Sequence, residues 1–353
     1  LVVLATVLAG CVSDDAAAPQ PAGTPVTVEA MLGGSDGTRS AMTVSDDFTA
    51  FSMWGFSGGS SLLTDDGGAP VSAAYTKSDG KWSSSKTFYW PTADGATSDF
   101  FGLSPQSAVS SLSVTASSQS FSYEVPTTNS AQQDLLVASE LAKAKPADGK
   151  LMLDFHHALS MVRFHVRTTI SDLQVTVRSI SLCNLRTGGT FTFGTDNSTG
   201  TWGSYGSAVD SYTVERAEPL TLTAEASAPS EFTENFADKD GVLMVLPQPL
   251  TKWDAATNVL SQTGNHVAVS CKVSTKGGTP LYYVGSASEW GTVYFPFGGF
   301  EMKMHQRYNF TLTMDGCRNA DGSQVLQGVE VIPGLTVSVS SWNPSGSDDT
   351  LTM

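Results

Sequence analysis

The sequence predicts an all-β chain built of β-sandwiches, and three observations carry that prediction. Short runs of alternating apolar and polar residues recur along its 353 residues, and clusters of Gly, Pro, Asp and Ser separate them. No stretch sustains a 3.6-residue apolar period for long; the best helical candidate, Gln132 to Lys143, follows it only weakly. Charged residues make up only 15% of the chain, against roughly 25% in an average soluble domain. Ser, Thr and Gly carry the polar surface instead, a composition that suits an extracellular β-protein.

The chain opens on Leu1-Val2-Val3-Leu4-Ala5-Thr6-Val7-Leu8-Ala9-Gly10-Cys11. An apolar run ending in small residues directly before a cysteine is the pattern of a bacterial lipobox. The run is shorter than the roughly 20 residues a membrane span needs. Residues 1–10 therefore read as a trimmed signal peptide, and Cys11 as the lipidated first residue of the processed chain. Residues 11–23, rich in Ala, Pro and Gly, read as a flexible tether.

Thr24-Pro25-Val26-Thr27-Val28-Glu29-Ala30 begins the first alternating strand, and Gly33-Gly34-Ser35-Asp36-Gly37 ends it. Strands are then expected at Phe48–Phe56, Thr87–Trp90, Asp99–Leu103, Ser120–Val125 and Leu135–Ala138. A long alternating stretch, Leu151 to Arg167, follows the turn Lys145–Gly149, and a second runs from Leu173 to Leu182. The turn Thr168–Asp172 between them reads either as a hairpin or as a seam between domains. Later strands are expected at Thr190–Phe193, Leu220–Thr223, Gly241–Leu246, His266–Val273, Leu281–Val284, Arg307–Met314 and Leu335–Trp342. Length alone favours two domains, placed at residues 24–168 and 169–353.

Composition also limits function. A net charge of −15 argues against nucleic acid and against docking on anionic lipid through charge. Of the four cysteines, Cys11 is assigned to lipid, and Cys183, Cys271 and Cys317 are too widely spaced for a metal site; they read as small apolar residues. His156 and His157 are neighbours on a strand and face opposite ways, so one is expected packed and the other in solvent. Asp315 to Gly322 resembles a calcium loop but places Cys317 where oxygen is required, so a turn is the better reading. Hydrolase, nucleotide-binding and metalloprotease motifs do not occur. Neither a cofactor nor a catalytic site is expected. Four of the seven tryptophans, Trp82, Trp202, Trp253 and Trp290, lie near turns and are the candidates for an alternative role in glycan binding.

Several strings in order resemble the fimbrillin-like family, the subunits of type V pili and their lipoprotein relatives. They are Lys86-Thr87-Phe88-Tyr89-Trp90-Pro91, Ser98-Asp99-Phe100-Phe101-Gly102-Leu103-Ser104-Pro105, Asp134-Leu135-Leu136-Val137-Ala138, Leu153-Asp154-Phe155-His156-His157-Ala158-Leu159-Ser160-Met161-Val162-Arg163-Phe164, Val245-Leu246-Pro247-Gln248, and Arg307-Tyr308-Asn309-Phe310-Thr311-Leu312 with Trp342. The resemblance spans about Val26 to Trp342. It implies two tandem transthyretin-like β-sandwiches, export as an outer-membrane lipoprotein, and assembly with other pilus subunits by donor-strand exchange after an arginine-specific protease removes the first strand. Arg39 is the only arginine before Arg163, and it lies in a polar loop just after that strand. Cleavage between Arg39 and Ser40 would release Val26, Val28, Ala30 and Leu32. At the other end, Leu335, Val337, Val339 and Trp342 form a candidate donor strand. The same stretch serves equally well as the last strand of its own sheet.

Overall fold

The computed structural model describes residues 23–32, 48–195, 199–207, 209–222, 224, 229–233, 242–253, 264–297, 299–326, 335–341 and 349–352. They form an all-β molecule of stacked sheets, and the helical elements among the described residues are short 3-10 turns. No helix among them is long and apolar enough to cross a membrane.

The largest sheet runs in the order Thr27–Leu32, Lys150–His157, Leu136–Ala144, Thr97–Ser104, Ala50–Ser57, Ala73–Ser78 and Lys81–Ser84, with the short Ser60–Ser61 paired to Ala50–Ser57. It curls until its two ends meet: Trp82 on the last strand donates its indole N–H to the Ala30 carbonyl on the first, at 3.2 Å. The period-two geometry of a strand divides each element between two faces. Phe51, Met53, Phe100, Leu136, Leu151, Leu153 and Phe155 fill the inside of the curl. Trp54, Phe56, Phe101, Leu103 and Val137 point the other way, into a larger core. Both faces are thus buried, which explains the consecutive Phe100-Phe101. Gly102 keeps the curl tight, since a Cβ there would stand 2.5 Å from the Phe155 ring.

The outer face of this sheet packs on a four-stranded sheet, Gly200–Gly203, Gly188–Phe193, Gln119–Glu124 and Ser110–Val114. Phe101 meets Phe193 edge-on across the gap, centroids 5.5 Å apart. Strands from both sides of residue 168 meet in this sheet. The remaining sandwich pairs a six-stranded sheet with a five-stranded one. In the six-stranded sheet, Ser160–Arg167 runs parallel to Gln306–Thr313, which pairs antiparallel with Leu335–Ser341, and Asp349–Thr352 follows beyond. The five-stranded sheet centres on Leu173–Arg186 and His266–Thr275.

Three sequence expectations change here. The long strand from Leu151 to Arg167 is two strands, Lys150–His157 and Ser160–Arg167, in different sheets; the chain crosses between sheets at Ala158–Leu159. The inward positions change phase at the crossing, from Leu151, Leu153 and Phe155 to Val162, Phe164 and Val166, so the break is marked by a one-residue slip in the alternation. The turn Thr168–Asp172 is not a hairpin, because the strands on its two sides belong to different sheets. Buried Asp315 holds it, accepting from the Thr168 hydroxyl at 2.5 Å and from the Thr169 N–H and hydroxyl at 2.7 Å each. The helical candidate Gln132–Lys143 is instead the strand Leu136–Ala144, where pairing on both sides overrides local propensity.

Candidate functional site: the seat of the opening strand

Thr27–Leu32 lies at one end of the large sheet, parallel to Lys150–His157, with Val28 opposite Leu151, Ala30 opposite Leu153 and Leu32 opposite Phe155. Parallel neighbours cannot be joined by a tight turn, and these two are separated by more than a hundred residues of chain. The strand is therefore held by its seat rather than by chain connection. On its inner side Val26 and Val28 are buried, whereas Thr27, Glu29 and Met31 are exposed. Burying two valines contributes on the order of 2 kcal/mol each.

Its backbone is clasped at the entry. The Val26 N–H donates to the Phe88 carbonyl and the Trp90 N–H to the Thr24 carbonyl, both at 2.9 Å; the Thr27 N–H reaches the Gly149 carbonyl at 3.1 Å. The same Gly149 carbonyl accepts from the Trp90 indole at 2.9 Å. Gly149 sits at φ +70°, in the left-handed region that glycine enters without strain, which lets the Lys145–Gly149 turn present that oxygen. Thr87 to Trp90, expected as a strand, makes only a single bridge, Tyr89 with Pro25, beside the entry of the opening strand. On the exposed face, Lys150 pairs with Glu29 at 2.9 Å.

The far end of Lys150–His157 gathers imidazoles and carboxylates. His157 is fully buried with Nδ1 2.7 Å from Asp134, and His156 lies 3.6 Å from Asp154. His305, reaching in from the turn before Gln306–Thr313, stacks over His157 and meets His156 edge-on. Burial, with mutual repulsion among the imidazoles, pushes His156 and His305 down to about 4. Burial, with the Glu140 carboxylate nearby, pushes Asp154 up to about 6. His157 is the packed member of the pair, but His156 is half-buried rather than in solvent and both rings meet His305, which was not singled out by its sequence context. No group of three His, Cys, Asp or Glu side chains among the described residues is placed to hold a metal ion.

Residues 38–342 match the family model described as fimbrillin-like. The chain belongs to the fimbrillin-like family. Among solved structures, this fimbrillin-like chain is similar to a fimbrial protein from Bacteroides vulgatus ATCC 8482, at 12% identity and a TM-score of 0.62, covering 90% of this chain and 99% of that one. It also aligns with the tip fimbrial protein Mfa3 from Porphyromonas gingivalis, with a C-terminal truncation, at 11% identity and a TM-score of 0.37, covering 83% of this chain and 94% of that one. The first of these supports the sandwich fold. The comparison with curated proteins returned no match.

Of the site residues expected from the sequence, Val28, Ala30 and Leu32 lie on the inner face of Thr27–Leu32, and Val26, just before that strand, packs in the same core. Leu335, Val337 and Val339 lie in a strand held on both sides within its own sheet, where Leu335 and Val337 are buried. Cys11, Arg39, Ser40 and Trp342 lie outside the described residues. Cys183, Cys271 and Cys317 are free and buried.

The four tryptophans considered for glycan stacking are dispersed. Trp82 packs between Phe48 and Phe51, Trp202 against Phe121 and Phe191, and Trp253 is buried. Trp290 is faced by Lys272 and Arg178, 4.8 and 6.0 Å from its ring. They make no common platform.

Proposed function

We propose that this fimbrillin-like chain is a non-enzymatic structural or adhesive subunit of a cell-surface fimbria, joined to its neighbours by replacement of the opening strand. One observation supports the reading above the others. Thr27–Leu32 is a terminal, parallel strand whose side chains complete a core and whose backbone is held by hydrogen bonds that any extended chain can supply. Its departure would bare Leu151, Leu153 and Phe155 together with a row of unpaired backbone groups, a surface that another strand relieves. In this reading Cys11 carries the lipid that tethers the precursor to the outer membrane, and cleavage between Arg39 and Ser40 frees the strand from the rest of the chain.

The stretch Leu335, Val337, Val339 and Trp342 was the candidate donor. As a donor it would have to leave Gln306–Thr313, uncovering Phe310 and Leu312 in the process. We therefore place the exchange at the acceptor seat of the opening strand, and any donation by Leu335–Ser341 at the cost of its own sheet.

The test is the variant Arg39→Ala in cells. It should fold, keep an N-terminus at Cys11, and lose the ladder of polymers seen on a denaturing gel without boiling, whereas the parent protein should begin at Ser40. Ladders that persist in the variant would refute the cleavage step.

A further inference from the structure

The opening strand is gripped along two edges, and residue parity divides the contacts between them. The Thr27 N–H bonds to the Gly149 carbonyl at the foot of Lys150–His157, and the parallel register turns the backbone groups of Thr27, Glu29 and Met31 toward that strand. Backbone groups alternate in direction along a strand, so those of the even-numbered residues point the other way. Three contacts lie on that second side. The Phe88 carbonyl accepts from the Val26 N–H, the Trp90 N–H donates to the Thr24 carbonyl, and the Trp82 indole N–H donates to the Ala30 carbonyl. All three come from residues 82–90, so this stretch forms a second jaw across from Lys150–His157.

Of the three, only Trp82 holds the strand beyond its entry. Its half-buried ring is fixed from several directions: the Phe48 ring stands 5.0 Å away, the Phe51 ring meets it edge-on at 4.8 Å, and the Lys77 ammonium, on the paired strand, lies 5.7 Å over it. An indole fixed in this way aims its N–H with little further loss of rotamer freedom. Its acceptor is a main-chain carbonyl, which any residue at the Ala30 position supplies, so the contact is open to strands of many sequences. It discriminates by parity. In a strand slipped by one residue, the carbonyl at this place turns toward Lys150–His157 and the apolar row turns to solvent.

We propose that Trp82 is the latch of this seat: its indole N–H slows departure of the resident strand and then holds the neighbouring subunit's strand that replaces it, in the parity that keeps apolar side chains inward. The hold on a replacing strand rests on strand replacement as proposed above; the hold on the resident strand does not. Because the latch is a single side chain on the strand Lys81–Ser84, it can let go without unpairing any ladder of the large sheet.

The test replaces Trp82 in the full-length chain by benzothienylalanine, which keeps two fused rings and exchanges the N–H for sulfur. Amide hydrogen exchange at Thr27, Glu29 and Met31 reports departure of the strand, since these amides face Lys150–His157 rather than Trp82. It should quicken about three- to ten-fold, the worth of one hydrogen bond, while exchange across Leu173–Arg186 stays as it was. A fluorescent peptide with the sequence of Thr24 to Leu32 should enter the seat faster by a similar factor. Unchanged exchange at the three amides, equal quickening across Leu173–Arg186, or peptide entry at one rate in both proteins overturns the latch. Quickened exchange at the opening strand with no peptide entry in either protein keeps the hold on the resident strand and overturns strand replacement.

Discussion

At His156 and His305, burial opposes protonation, and the sign of the consequence follows from the direction of the shift. Each imidazole sits near 4 in the folded protein against 6.5 in the free side chain, so the unfolded chain binds protons first as pH falls. Stability is therefore full above about pH 6.5 and lost progressively toward pH 4, by up to about 3 kcal/mol per histidine. Asp154, raised to about 6, acts oppositely: the native carboxylate takes up its proton before the unfolded one, which offsets part of the loss between pH 6 and 4. Solvent contact at Asp154 reduces that offset. Urea unfolding midpoints should fall between pH 6.5 and 4, and the double variant His156→Asn, His305→Asn should flatten the curve. Asparagine suits position 305, whose φ is +62°. An unchanged slope in the double variant would remove the imidazoles from this account. Gly102 is the second residue-scale constraint. Gly102→Ala would drive a methyl into the Phe155 ring, with an expected loss of about 1–3 kcal/mol on urea denaturation; a neutral result would mean the curl relaxes freely.

Two strands that look alike in sequence differ in what their loss would do. Val28 and Val337 are both buried and both sit in alternating runs. Val28, however, belongs to a terminal strand that closes one end of the curled sheet, whereas Val337 lies between two paired neighbours at the core shared by the sheets. An aspartate at either place is a buried charge without a partner. Val28→Asp should release the opening strand locally, seen as faster amide exchange at Leu151 and Leu153 with little change across Leu173–Arg186. Val337→Asp should unfold the molecule cooperatively or prevent its accumulation. Global unfolding by Val28→Asp would show that the opening strand is integral to the fold rather than a replaceable part.

Across the whole molecule, the crossings between sheets depend on a few polar contacts. Trp202 donates to the Ala158 carbonyl at 2.6 Å where the chain leaves the large sheet, and the His305 N–H reaches the Leu159 carbonyl beside it. Asp315 holds the crossing at Thr168 and Thr169 through three hydrogen bonds. Asp315→Ala leaves those donors without their acceptor and should cost about 3 kcal/mol, measured as a lower urea midpoint. A change below about 0.5 kcal/mol, the usual range of surface substitutions, would show that the turn needs no such anchor.

The sequence by itself determined the strand-rich class, the positions of most strands and the inward face of the opening strand, because period-two alternation is a local property written in consecutive residues. The fimbrillin-like resemblance was also legible, in strings such as Asp99-Phe100-Phe101-Gly102-Leu103. The phase slip between Phe155 and Val162 was there to read as well, but only the tertiary structure decided which two sheets the halves of Leu151 to Arg167 join, that His305 meets His156 and His157, and that Trp82 reaches Ala30. Each of these depends on which strands meet across long stretches of chain, and pairing between distant segments leaves no trace in the alternation of either one.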